Sequence, residues 1–225
     1  MKRLLIVLFI TGLFACGQRV NGQSTLAEQH QINKEAVRLA KQAADTVMKS
    51  FGANRVQTLT VAINLLKKAI TIDSSYFPAY RSKMMYETEL KQYKNAVLTG
   101  KQMIKLRPMS PELYGNVGFI CEKEGDATSS RQYFERSLVL YDQQIDAMKL
   151  KDNSYKNAEI GKAINLVMLG KEQQGGAIYK NLYIVETDTV YKQLYTKYMN
   201  MSKKDWLDLI DGRGQTTSTN AIKKQ

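Results

Sequence analysis

Residues 77–137 read FPAYRSKMMYETELKQYKNAVLTGKQMIKLRPMSPELYGNVGFICEKEGDATSSRQYFERS. One pattern is written there twice. The first copy carries Tyr80, Tyr93, Ala96 and, at its end, Pro108; the second carries Tyr114, Gly118, Gly125-Asp126, Phe134 and Ser137. Tyr80 and Tyr114 stand 34 residues apart. A fixed period of this length marks a repeated supersecondary unit that buries its apolar face by stacking on its neighbours. Pro108 lacks a backbone N–H and disfavours a helical residue before it, so it closes the first copy.

This pattern resembles the tetratricopeptide (TPR) repeat, a helix–turn–helix unit of 34 residues with an aromatic-rich first helix, a small residue, a second aromatic and a closing proline. The resemblance implies an all-α chain: a right-handed α-solenoid of helical hairpins, each made of a helix A and a helix B, with C-terminal capping helices. With Tyr80 and Tyr114 at position 4, one repeat starts at Phe77 and the next at Pro111. In the family, positions 8 and 20 are small because the two helices cross there, and position 24 fills the space beneath. Gly118, Ala96, Ser130 and Phe134 fit this scheme, whereas Met84 at position 8 and Gly100 at position 24 depart from it.

The register extends both ways. Thirty-four residues earlier, Ala62, Leu66, Ala69 and Asp73 take positions 20, 24, 27 and 31 of a good helix B. The helix A before it, within about Lys34–Ser50, matches the family poorly; its apolar residues Leu26, Ile32, Val37, Ala40 and Ala44 are broadly helical in spacing. Later, Leu169-Gly170-Lys171 resembles the turn Glu124-Gly125-Asp126, which puts Gly175, Tyr179 and Leu182 at positions 20, 24 and 27. The interval between these turns is 45 residues, eleven more than one repeat. Eleven residues make about three helical turns and keep the same face inward. A longer helix B, with Phe134, Leu138, Tyr141, Ile145 and Met148 on one stripe, therefore accounts for the extra length.

Composition is that of a globular chain: 44% hydrophobic and 24% charged residues with only three prolines leave enough apolar side chains for a packed core. At the start, Met1-Lys2-Arg3 is basic and Leu4 to Ile10 is an unbroken apolar run, too short to span a bilayer and suited to a secretory signal over residues 1–15. Leu13-Phe14-Ala15-Cys16 resembles the bacterial lipobox, with Phe14 bulkier than usual. That resemblance implies lipidation of Cys16 with several acyl chains, a polar tether over 16–24, and a cell-envelope lipoprotein anchored in the outer membrane and facing the periplasm. The competing reading is an ordinary signal peptide cut after Gly17 or Gly22.

The helical domain is expected over 25–211. Cys121, the second of two cysteines, falls on a core position of helix A and reads as a small buried hydrophobe. The one histidine, His30, supplies neither a metal site nor a triad. Glu186-Thr187-Asp188-Thr189 marks a helix stop and a new start, followed by an apolar face of Val190, Leu194, Tyr195 and Tyr198. Ser202 N-caps a last helix bearing Trp206, Leu209 and Ile210, with Asp205 in its first turn. These two helices read as the cap that a repeat stack needs. Residues 212–225 lack an apolar period and are expected to be disordered.

No phosphate loop, H-E-x-x-H or C-x-x-C motif occurs, and a single histidine leaves almost no candidates for catalysis. The reading is a non-catalytic interaction scaffold without cofactor or metal. Its rival is an envelope enzyme, or an accessory subunit of an envelope enzyme or transport complex. The net charge of +12, lowered by two with the signal's Lys2 and Arg3, favours acidic partners; an exported protein rarely meets nucleic acid. The basic residues are spread along the chain without a dense block, which reads as general solubility. The TPR resemblance implies a groove for a protein or peptide partner lined by Arg81, Met85 and Glu89 of one repeat and Asn116, Phe119, Glu122 and Lys123 of the next. Arg81 and Asn116 match the family's carboxylate clamp, but Glu112 stands where it has a lysine, so an internal peptide segment is the expected ligand.

Overall fold

A computed structural model of the chain describes residues 32–49 and 54–210. Among them are ten helices and no strand: α1 (Lys34–Lys49), α2 (Arg55–Ile72), α3 (Phe77–Glu89), α4 (Tyr93–Leu106), α5 (Pro111–Glu124), α6 (Ala127–Asp146), α7 (Asn153–Met168), α8 (Glu172–Val185), α9 (Thr189–Tyr198) and α10 (Lys203–Ile210). The signal, Cys16, the tether, Leu26, His30 and the tail from 211 lie outside the described residues. Two compact units are present, one ending at Tyr133 and one beginning at Phe134, so the boundary falls inside α6.

In the first unit α1 packs on α2, α2 on α3, α3 on α4 and α4 on α5. Connections of a few residues force these neighbours to run antiparallel. α1 also touches α3, the contact between successive helices A that a repeat stack requires. Prolines help set the starts: Pro78 and Pro111 sit in the first turns of α3 and α5, where a missing N–H costs nothing.

The 34-residue period is visible as repeated chemistry. The hydroxyl of Tyr80 donates to the Ser74 carbonyl at 3.1 Å, and that of Tyr114 to the Pro108 carbonyl at 3.1 Å, each six residues back. The position-4 tyrosine thus ties its helix A to the turn before it. The turn from helix A to helix B is also repeated. Lys91, Gly125 and Gly170 share one position and all have left-handed backbones, with φ of 58°, 88° and 76°. The next amide reaches back five residues each time, from Gln92 to Glu87, Asp126 to Cys121 and Lys171 to Leu166. This is the Schellman closure, for which glycine is the unstrained residue.

Core positions obey the register. Position 20 holds Ala62, Ala96, Ser130 and Gly175, and position 27 holds Ala69, Met103, Ser137 and Leu182; all are buried. Leu66, Phe134 and Tyr179 at position 24 are fully buried. A Cβ on Gly175 would stand 2.8 Å from the Ala163 carbonyl oxygen and 2.7 Å from Val167 Cγ2, so α8 crosses α7 closely where the register puts positions 20 and 8 together.

The two departures of the 77–110 repeat compensate each other. A Cβ on Gly100 would overlap Val117 Cγ2 and lie 3.2 Å from Met84 Sδ. The large Met84 and the Val117 side chain from α5 occupy the space that a bulky position 24 fills elsewhere. Volume is conserved while its source changes, which close-packed interiors tolerate.

Two expectations of burial need correction, the buried face of α1 and the place of Val190. In α1 the buried residues are Ala36, Leu39, Ala43 and Val47, while Val37 and Ile32 are exposed; the apolar face lies beside the one the spacing suggested. Two of its four members are alanines, which give a weak hydrophobic signal. The helix itself spans Lys34–Lys49, within the expected range, so it departs from the repeat's usual helix A, whose first position would fall at residue 43. Val190 is 64% exposed and does not join Tyr195 and Tyr198 in the core.

In the second unit α7 packs on α8 and α8 on α9. α6 is long, 20 residues against 14 in α4, with Phe134, Ser137, Leu140 and Tyr141 buried and Leu138 and Ile145 half-buried on its stripe. It ends at Asp146, so Met148 falls in the connection to α7 and the helix takes up only part of the extra length. α9 starts where expected: the Asp188 carboxylate accepts from the amides of Val190 and Tyr191. At α10 a reciprocal box forms, the Asp205 amide donating to Ser202 Oγ at 3.2 Å and the Ser202 amide to Asp205 Oδ2 at 2.9 Å. Trp206 is buried against Tyr198, ring centroids 5.0 Å apart, and Tyr198 meets Tyr179 at 5.6 Å. α9 therefore covers the apolar side of α8, and Trp206 of α10 packs in turn on α9. Burial pushes the Tyr198 phenol up to about 12.

Candidate partner-binding face

α3 and α5 are the helices A of the two best-matched repeats, and their sequence decides which side faces out. On α3, Ala79, Tyr80, Met84, Tyr86 and Glu87 are buried. That leaves Arg81, Met85 and Glu89, four residues apart, as one exposed stripe. On α5, Leu113, Val117, Gly118, Ile120 and Cys121 are buried, and Asn116, Phe119, Glu122 and Lys123 are half-buried beside them. The seven expected residues thus form two helical stripes, accessible on α3 and partly sheltered on α5. Their chemistry is mixed: a guanidinium, a polarizable thioether, an aromatic ring, an amide and charges of both signs.

Both carboxylates among the seven, Glu89 and Glu122, are held by residues of other helices. Glu89 accepts from Arg55 Nε at 2.7 Å and Arg55 Nη2 at 2.9 Å, a bidentate pair. Arg55 also donates to the Val47 carbonyl at 3.3 Å, so it joins the ends of α1 and α3 to the start of α2. Glu122 accepts from Ser130 Oγ at 2.8 Å, which holds its carboxylate toward α6.

Sequence reasoning missed Arg55, although it stands 34 residues before Glu89. It also missed a buried polar cluster on the inner side of α3. Glu87, 2% exposed, accepts from Lys83 Nζ at 2.6 Å and from Thr99 Oγ1 at 2.7 Å, and Lys83 Nζ contacts Thr99 Oγ1 at 2.6 Å. The spacing of Lys83 and Glu87 is the signal that could have shown it. Such a pair offsets its own desolvation only while every member keeps its partner. Glu87 occupies the repeat position of Cys121 and Leu166, so one position is ionic in one repeat and apolar in the others. The Cys121 thiol is buried, and burial raises its pKa, the opposite of a reactive nucleophile.

These hairpins, with their shared turn, tyrosine lock and small crossing residues, make the chain a TPR-like helical-repeat protein with an all-α fold. No protein-family model matches the sequence, and no curated protein matches it. Among solved structures, it is similar to PilW, a widely conserved type IV pilus biogenesis factor: 17% identity over 81% of this chain and 77% of that chain, TM-score 0.47. It is also similar to MamA: 11% identity over 84% of this chain and 97% of that chain, TM-score 0.43.

Proposed function

We propose that the chain is a non-catalytic interaction scaffold of a bacterial cell envelope, held to the membrane by lipid on Cys16, which captures a segment of a protein partner on α3 and α5. The observation that carries this reading is the exposed Arg81–Met85–Glu89 stripe on α3, alongside the half-buried Asn116, Phe119 and Lys123 on α5. A mixed surface of this kind suits an extended peptide. The amide and guanidinium hydrogen-bond its backbone or carboxylates, while Met85 and Phe119 adapt to its side chains. The Arg55–Glu89 pair supports the reading by fixing one end of the stripe before any partner arrives, which lowers the ordering cost of binding.

The test is co-purification after mild crosslinking, comparing the wild-type chain with Arg81→Glu plus Asn116→Ala, once circular dichroism has shown that the variant folds. Loss of one specific partner supports the stripe; unchanged capture of every partner refutes it. The anchor is tested separately by Cys16→Ser, which releases the chain from the membrane fraction or leaves an unprocessed precursor.

A further inference from the structure

The opposite helices of the first unit carry a surface that the peptide-binding reading does not use. Neither α2 nor α4 contains an Asp or Glu. Toward their C-terminal ends α2 exposes Lys67 and Ile72, and α4 exposes Lys101, Lys105 and Leu106, with Met109 exposed in the turn that follows. Lys67 and Lys101 share one repeat position, and Ile72 and Leu106 share another. Because α3 packs antiparallel on both helices, α2 and α4 run the same way and their last turns end at one edge. The period therefore gathers residues scattered in sequence into one basic, apolar-studded ridge.

The acids near this edge offset its charge only in part. Asp73, directly after Ile72, is 3% exposed and turned inward, accepting from the Asn33 amide and from Ser75. Asp126 lies within the field of Lys101 and offsets part of its charge, and Glu112 in the first turn of α5 accepts from Ser110 Oγ at 2.8 Å; two acids thus face a surface whose other charged members are lysines. Lys67 and Lys105 form no ion pair with any described carboxylate. The second unit, taken by itself, repeats the motif on α8, where Lys180 and Val185 hold the same two repeat positions and are exposed.

We propose that this edge of the first unit docks on an anionic lipid surface. The charge is complementary, and it comes from lysines, which act as mobile point charges and need no fixed acceptor geometry. A fluid array of phosphate headgroups offers that kind of target. Ile72, Leu106 and Met109, 43%, 38% and 65% exposed, stand among the lysines where they enter the headgroup–acyl boundary as the ammonium groups meet phosphate. The proposal does not depend on lipidation of Cys16. Where one lipid anchor and this ridge act together, the second contact forms at the high effective concentration set by the first.

The experiment is vesicle co-sedimentation of the full chain carrying Cys16→Ser, on phosphatidylcholine vesicles with and without phosphatidylglycerol. The edge variant is Lys67→Glu, Lys101→Glu, Lys105→Glu. The control is Lys34→Glu, Lys41→Glu, Lys49→Glu, three exposed lysines of α1 that change the net charge equally. Each lysine at such a surface is worth about fivefold in binding, so the edge variant is expected to lose about 100-fold on phosphatidylglycerol vesicles and the control far less. Ile72→Ser with Leu106→Ser is expected to weaken binding at high salt, where the charge term is screened. Equal losses in edge variant and control, or undiminished binding by the edge variant, overturn the proposal. Tighter binding to polyglutamate than to vesicles, abolished by the same edge variant, overturns it in favour of an acidic protein.

Discussion

Gly100→Ala is the substitution whose effect depends most on tertiary packing. In an isolated helix it is favourable, because alanine exceeds glycine in helix propensity by about 0.8–1 kcal/mol. In this fold the new methyl meets Val117 Cγ2 well inside contact distance and Met84 Sδ at 3.2 Å. Met84 is unbranched and gives way by a few tenths of an ångström, but Val117 is stiff at χ1 and 1% exposed. Overpacking of this size costs about 1–3 kcal/mol. The expected net effect is therefore a destabilisation of about 1 kcal/mol. In a Val117→Ala background the obstructing methyls are gone, and the same Gly100→Ala should stabilise by about 0.5–1 kcal/mol. The sign reverses, and the coupling is about 1.5–2 kcal/mol, well above the scatter expected of independent sites. The assay is urea unfolding of the wild type, both single variants and the double variant, followed by circular dichroism at constant m-value. Additivity within about 0.5 kcal/mol would refute the claim that α5 occupies the space left by Gly100.

Other outcomes follow from the same structure. Lys91→Gly should stabilise by about 0.5–1 kcal/mol by relieving a left-handed backbone, while Gly125→Ala and Gly170→Ala should each cost about 1 kcal/mol, as read from thermal midpoints. Phe134→Ala should cost about 3–5 kcal/mol and Ala96→Asp more than ordinary surface changes by burying an unpaired charge, whereas the exposed Lys94→Ala should stay within about 0.5 kcal/mol. The Glu186 carboxyl accepts from Lys156 Nζ and from the Asp188 and Thr187 amides, which lower its pKa from 4.5 to about 2. Its contribution is therefore full above pH 4.5 and is lost as pH falls toward 2. Glu186→Gln should flatten the thermal midpoint over that interval, and an unchanged slope would show that the clamp does not matter.

How much was legible in advance depends on how local the signal was. The hairpins from Phe77 onward could be placed because their determinants lie within one repeat: a proline start, a tyrosine that bonds six residues back, a left-handed turn and a small crossing residue. α1 was harder because alanines, rather than large apolar residues, mark its buried face. The expected binding residues came from the TPR resemblance; those on α3 are exposed and those on α5 half-buried. Their partners were not foreseen, because Arg55–Glu89 and Glu122–Ser130 are pairs between different helices, and spacing along one helix says nothing of its neighbours.

By itself, then, the sequence determined the class of fold and the repeat register, since a period of 34 residues can only be satisfied by stacking like on like. Tertiary structure alone decided three things. It showed that Met84 and Gly100, departures when read singly, exchange volume through Val117. It turned Glu87 inward to a buried partner while leaving Glu89, two residues on, at the surface. And it brought lysines from α2 and α4 to one edge, although along the chain they looked dispersed. Volume, burial and field are sums over neighbours in space, and the packing of the hairpins sets which neighbours those are.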